Sequence, residues 1–133
     1  MTAVQKFEDL DAYQLSRELR DTIFSLTETG PTSTNITFRD QIRQSSSSPP
    51  ANIAEGFGRF KPREFAHFTR IARASLLETP NHIEDASKKK YFSEKDCAKL
   101  FELQVRATKA ATGLLRYLDS CRGKAPTGWN VEP

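Results

Sequence analysis

The chain has 133 residues, 28% of them charged, with a formal net charge of +3. That length suits one domain with one core, and no apolar run approaches the ~20 residues of a membrane span, so no membrane-spanning helix is expected. The N-terminal Met1–Phe7 carries no apolar signal segment, and the expectation is a cytosolic protein.

Four helical segments and no strand are expected. The first runs from about Glu8 to Glu28. Its Ala12, Leu15, Leu19, Ile23 and Leu26 share a narrow arc. Leu10, Tyr13 and Phe24 form a second apolar patch, read either as an oligomer contact or as part of one wide core face. Gly30–Asn35 reads as a loop. The second helix starts near Thr37, with its hydroxyl as cap, and includes Phe38 and Ile42. Ser45–Ser48 and Pro49-Pro50 interrupt it. Either Ser48 caps a restarted helix with Pro49 in its first turn, or one kinked helix runs through. Gly56 and Gly58 weaken its end.

The third helix begins around Pro62 with the stripe Phe65, Phe68, Ala72, Leu76, Thr79, Ile83 and Ala86. Pro80 falls inside it, removes a ladder bond and predicts a kink near Leu76–Pro80. Ser93 and Asp96 start the fourth helix with a capping-box spacing. Cys97, Phe101, Gln104, Thr108, Ala111, Leu115 and Leu118 follow steps of four and three, a heptad seam in which Gln104 and Thr108 need polar partners. Short connections between amphipathic helices predict an all-α, antiparallel up-down-up-down four-helix bundle over residues 1–122. Residues 123–133, with Trp129, read as a flexible tail.

Little chemistry is encoded. Cys97 and Cys121 stand roughly 36 Å apart along one helix, too far for a disulfide, so reduced thiols are expected. His67 and His82 stand roughly 22 Å apart on the third helix, too far to share a metal. Gly56-Phe57-Gly58 lacks the third glycine and preceding strand of a phosphate loop, and no nucleophile motif occurs. The expectation is no enzyme, no cofactor and no metal. Asn52, Glu55 and Arg59 share one polar face that either binds a ligand or, the favoured reading, bonds within itself and to backbone freed by Pro49.

Charge is uneven. Lys95, Lys99, Arg106, Lys109 and Arg116 project from one side of the fourth helix, with Glu102 the acid among them, and span roughly 32 Å. Arg63, Arg70, Arg73 and Lys88 do the same on the third, with Glu84 nearby. Lys88-Lys89-Lys90-Tyr91 and Arg59-Phe60-Lys61 lie at turns. The first helix is acidic through Glu8, Asp9, Asp11, Glu18, Asp21 and Glu28. Basic faces with adjacent aromatics are the footprint of RNA or DNA binding. The competing readings are a solvated surface, or an acidic helix of one subunit meeting a basic helix of the next.

Phe7-Glu8-Asp9-Leu10, Gln41-Ile42-Arg43, Pro50-Ala51-Asn52-Ile53-Ala54-Glu55-Gly56, Arg59, Glu64-Phe65, Phe68, Ile71-Ala72, Ser75-Leu76 and Glu78 form a pattern. It resembles the four-helix bundle family of bacterial 23S rRNA intervening-sequence proteins, and is similar to the accessory variability determinant of diversity-generating retroelements. The resemblance covers roughly residues 7–120. It implies a ring-like homopentamer with no known catalysis, nucleic-acid binding proposed for some members, and no defined molecular role for most. Gln41, Arg43, Asn52, Glu55 and Arg59 belong to the shared motif and read as structural or assembly residues. The chain departs from the pattern at Ser45–Pro49, at Lys61 where a capping Ser is usual, and at Pro80 where a Leu is usual.

Overall fold

A computed structural model describes residues 6–124; Trp129 and most of the expected tail lie outside them. A 3-10 turn, Phe7–Asp9, leads into α1 (Asp11–Thr27). A second 3-10 turn, Gly30–Ser33, precedes α2 (Ile36–Phe57). α3 (Pro62–Lys88) and α4 (Glu94–Ser120) follow. There is no strand among the described residues. Each helix packs against its chain neighbours, and α1 also packs against α4.

Contacts between neighbouring helices run in opposite register, as antiparallel pairs require. Thr27 meets Arg43 at one end of the α1/α2 pair, and the Phe7 ring just before α1 meets Phe57 at the other. Ser48 bonds Ser75, while Gly56 lies against Phe65 and Phe68. Leu76 meets Gln104, Arg73 meets Thr112 and Arg70 meets Asp119.

The core forms from one face of each helix. Leu19 and Ile23 of α1, Ile42 and Ile53 of α2, Phe65, Leu76 and Ile83 of α3, and Leu100 and Leu103 of α4 are all buried. Leu10 and Tyr13 pack against this same core. Phe24 lies under the Arg43 guanidinium, 4.6 Å from the ring centroid. All three side chains are half-buried.

Two expectations need correcting, and one open alternative is decided. The α2 cap is Asn35, whose side chain accepts from the Phe38 amide at 3.2 Å; Thr37 is exposed inside the first turn. The same Asn35 amide nitrogen donates to the Tyr91 hydroxyl at 2.8 Å, tying the α1–α2 loop to the α3–α4 turn. The asparagine amide carries its acceptor and its donor on separate atoms, so one side chain reaches both partners.

Second, α2 does not restart at Pro49. It is continuous through Pro49 and Pro50, and both rings are buried. The prolines remove the amides that would bond the Ser45 and Ser46 carbonyls. One turn earlier the Ser45 and Ser46 hydroxyls donate to the carbonyls of Ile42 and Arg43, a back-bonding that bends helices locally. Burial of the two rings offsets the lost ladder bonds.

Third, the buried face of α4 is shifted to one side of the expected seam, of which Cys97, Gln104, Ala111 and Leu118 are buried. Leu100, Leu103 and Ala107 are buried, while Phe101, Thr108 and Leu115 are half-buried at its edge. The four-and-three spacing holds, and Leu100, Leu103 and Ala107 widen the buried face beside it.

α3 runs unbroken through Pro80. Pro80 has no amide to donate to the Leu76 carbonyl, and the Gln104 side chain donates to that carbonyl from α4 at 2.9 Å. Gln104 also donates to Thr108 Oγ1, which donates back to the Gln104 carbonyl at 2.8 Å. The two polar seam residues thus serve the carbonyl that the proline leaves free.

Candidate nucleic-acid interface

The motif residues of α2 are absorbed by packing. Arg43 Nε donates to Thr27 Oγ1 at 2.8 Å and its Nη2 to the Phe24 carbonyl at 3.3 Å, at the C-terminus of α1, where carbonyls lack helical donors. Asn52 Nδ2 donates to the Ser48 carbonyl and hydroxyl, and the Ser48 hydroxyl shares a 2.8 Å hydrogen bond with Ser75 of α3. Glu55 accepts twice from Arg59, whose guanidinium lies 5.0 Å from the Phe68 centroid. The Asn52–Glu55–Arg59 face is therefore two separate groups. Asn52 joins α2 to α3 through Ser48, and Arg59 folds back on its own helix and over Phe68. Gln41 is exposed. Gly56, the last motif residue, is buried where α3 approaches most closely: a Cβ there would stand 2.8 Å from both Phe65 Cδ1 and Phe68 Cβ.

The turn lysines are also partly committed. Lys89 lies over Phe38 and Tyr91, at 5.7 and 6.0 Å, and pairs with Asp85. Lys90 takes a left-handed backbone, φ 58°, and the Tyr91 amide closes the end of α3 on the Ala86 carbonyl. Lys61 pairs with Glu64 at 3.9 Å.

The basic residues divide in two. Lys95, Lys99 and Arg106 stand on the outer surface of α4 toward α1, where Lys99 reaches Glu18 at 3.9 Å and Arg106 reaches Glu102 at 3.8 Å. Lys109 and Arg116 are exposed on the outward side of the row Lys109, Thr112, Arg116 and Asp119, whose Thr112 and Asp119 meet α3. Opposite them on α3, Arg70 Nη2 donates to both Asp119 oxygens at 2.9 and 3.0 Å, and Arg73 Nε donates to Thr112 Oγ1 at 2.8 Å. Arg63, one turn before the end of this row, lies against Gly123: a Cβ there would meet its Nε at 2.9 Å. Arg122 precedes that glycine and is exposed.

Antiparallel packing of α3 and α4 thus gathers Arg63, Arg70, Arg73, Lys109, Arg116 and Arg122 at one end of the bundle, with Asp119 the carboxylate among them. Arg63, Lys109 and Arg116 are exposed, with no partner among the described residues. Sequence reading missed Thr112, Asp119 and Arg122 as members of this face. The signal was the polar repeat Lys109–Thr112–Arg116–Asp119, hidden while the helix was read for one sign of charge. Toward the middle of the same face two apolar side chains are open to solvent, Leu77 at 50% and Val105 at 46%.

Other chemistry is sparse. No group of three metal-ligating side chains comes together among the described residues, and none of their helices is long and apolar enough to cross a membrane. Cys97 is buried and Cys121 half-buried; both are free. Burial pushes the Cys97 thiol up, a hydrogen bond with Ser87 opposes this, and Asp96 adds to it.

Residues 8–113 match the 23S rRNA-intervening sequence protein family. The chain belongs to that family. The match contains all of α1, α2 and α3 and most of α4, including the Gly56 contact and the Gln104–Leu76 bond. The family's function is undefined. No curated protein matches the chain.

Proposed function

We propose that this 23S rRNA-intervening sequence family member is a non-enzymatic homo-oligomer that binds nucleic acid through the basic α3/α4 face. The observation that carries the reading is the convergence of Arg63, Arg70, Arg73, Lys109 and Arg116 from two helices, against Asp119 alone. Lys and Arg clusters neutralise phosphates and release counterions, so the affinity is electrostatic and falls with salt. The assembly reading rests on the family resemblance, which implies a ring of five, and on charge asymmetry. Acidic α1 and the Lys95, Lys99 and Arg106 side of α4 are complementary in a head-to-tail contact. Leu10, Tyr13 and Phe24 keep part of their surface open for such a contact. Copies arranged in a ring multiply a modest patch.

Native mass measurement tests both halves. The expected result is a closed oligomer of five, retaining RNA or DNA at low salt. Arg63→Glu with Arg116→Glu abolishes retention and leaves the oligomer intact, whereas Lys99→Glu with Arg106→Glu weakens the oligomer. A stable monomer at micromolar concentration refutes the assembly, and retention unaffected by Arg63→Glu/Arg116→Glu refutes the interface. The second reading is a protein adaptor, favoured by the exposed Leu77 and Val105 on the same face. It predicts a partner whose capture is insensitive to salt and lost on Leu77→Asp.

A further inference from the structure

We infer that the ligand of the α3/α4 face is double-stranded nucleic acid, held by its phosphates without readout of bases. This rests on the nucleic-acid reading above and names the form of the ligand. The cations stand on rigid elements. Arg63, Arg70 and Arg73 extend from α3, and Lys109 and Arg116 from α4. Two of them are also held in place, Arg70 by both oxygens of Asp119 and Arg73 by Thr112. The Arg63 guanidinium packs against the backbone at Gly123. Such fixed charges suit a ligand whose phosphates are themselves fixed in space.

A single strand is bound differently. Proteins that hold one combine a groove that tracks a flexible backbone with aromatic rings on which bases stack. Among the described residues the α3/α4 face lacks those rings. Tyr117 is the large aromatic side chain open to solvent among the described residues, and it follows Arg116 directly, about 100° further round α4. Phe60 and Phe101 are half-buried, and Phe101 packs on the core.

Extent and shape agree. Arg63 to Arg73 covers roughly 15 Å of α3, and Lys109 to Arg116 roughly 10 Å of α4, at about 1.5 Å per residue. The two rows lie side by side on helices whose axes pack about 8–10 Å apart. A duplex carries one charge per ~1.7 Å of axis and returns about 0.9 counterions per phosphate neutralised, against about 0.7 for a single strand. The same cations therefore gain more from a duplex. Arg70, Arg73, Lys109 and Arg116 project from the sides of two helices packed together, and among the described residues no single helix or ribbon stands clear of the bundle to enter a major groove, so base edges are not read.

Fluorescence anisotropy with a mixed-sequence 24-base-pair DNA duplex, a scrambled duplex, an RNA duplex of the same length, and each separated strand tests this. The duplexes should bind at least tenfold tighter than the strands, and scrambling should change nothing. The log–log salt slope should be near −4, for about four phosphates met by Arg63, Arg73, Lys109 and Arg116, and Arg116→Gln or Arg63→Gln should each reduce it by about 1. Both substitutions are at exposed positions, and circular dichroism confirms that the variants fold. Strands bound as tightly as duplexes overturn the inference and leave the nucleic-acid reading standing. Slopes unchanged in both variants overturn the assignment to this face. No binding of any probe at 20 mM salt overturns both.

Discussion

α3 packs on α2 and on α4 by different means. Against α2 the contact is made by small residues at close range: Gly56 under Phe65 and Phe68, Ser48 against Ser75, and Asn52 on Ser48. Against α4 it is made at its edge by long polar side chains: Gln104 to the Leu76 carbonyl, Arg73 to Thr112, and Arg70 to Asp119. The first contact fixes the backbones through groups that bond one another. The second leaves charged ends in water. The distinctive Asn52–Gly56 motif therefore marks where the bundle is held together, and the less conspicuous arginines carry the proposed interface.

The sharpest way to break this contrast is at Gly56. Gly56→Val should cost about 3 kcal/mol, because β-branching puts carbon where Phe65 and Phe68 already stand, and overpacking a tight core typically costs about 1–3 kcal/mol or more. Urea denaturation measures it. A loss below about 1 kcal/mol would mean that α2 and α3 separate easily, and the close contact would then lose its structural meaning.

A middle-sized effect is expected at Gln104. Gln104→Leu leaves the Leu76 carbonyl with neither its ladder amide nor the side-chain donor, and an unsatisfied buried acceptor costs about 1–3 kcal/mol. Pro80→Leu supplies the missing amide and should leave stability equal or higher. The double substitution should therefore cost clearly less than Gln104→Leu alone, giving a coupling of about 1 kcal/mol or more between residues on different helices. Additive costs would show that Gln104 serves packing and not the carbonyl.

These two sites also measure what was legible in the sequence. Helical periodicity placed Leu19, Ile23, Leu76 and Ile83 inward correctly, because burial of one face is a local property of spacing. Pro80 reads in the sequence as a lost ladder bond and a kink, and Gln104 as a side chain in need of a polar partner. That they supply one another depends on the register between α3 and α4, which no local pattern carries. The continuity of α2 through Pro49 and Pro50 was open for a related reason: the burial that offsets two lost amides comes from neighbouring helices. The basic face was half legible. Its arginines and lysines were read helix by helix, but their convergence, and the place of Asp119 among them, is a product of antiparallel packing.

The smallest stability effect belongs to that face. Arg70 and Asp119 are each about half exposed, at 54% and 51% of the side chain, and exposed ion pairs contribute roughly 0–1 kcal/mol. Arg70→Gln and Asp119→Asn should each change stability by less than about 0.5 kcal/mol, through the lost pair alone. Their effects on duplex binding should be larger and of opposite sign. Arg70→Gln removes a cation and weakens binding, whereas Asp119→Asn removes the one carboxylate of the cluster and frees Arg70 to meet a phosphate. Denaturation midpoints and anisotropy on the same two variants separate the effects. Weaker binding by Asp119→Asn would mean that the carboxylate's part is to aim Arg70. A stability loss above 1 kcal/mol in either variant would place the pair with the structural contacts of the α2 side, and the division between the two sides of α3 would fail.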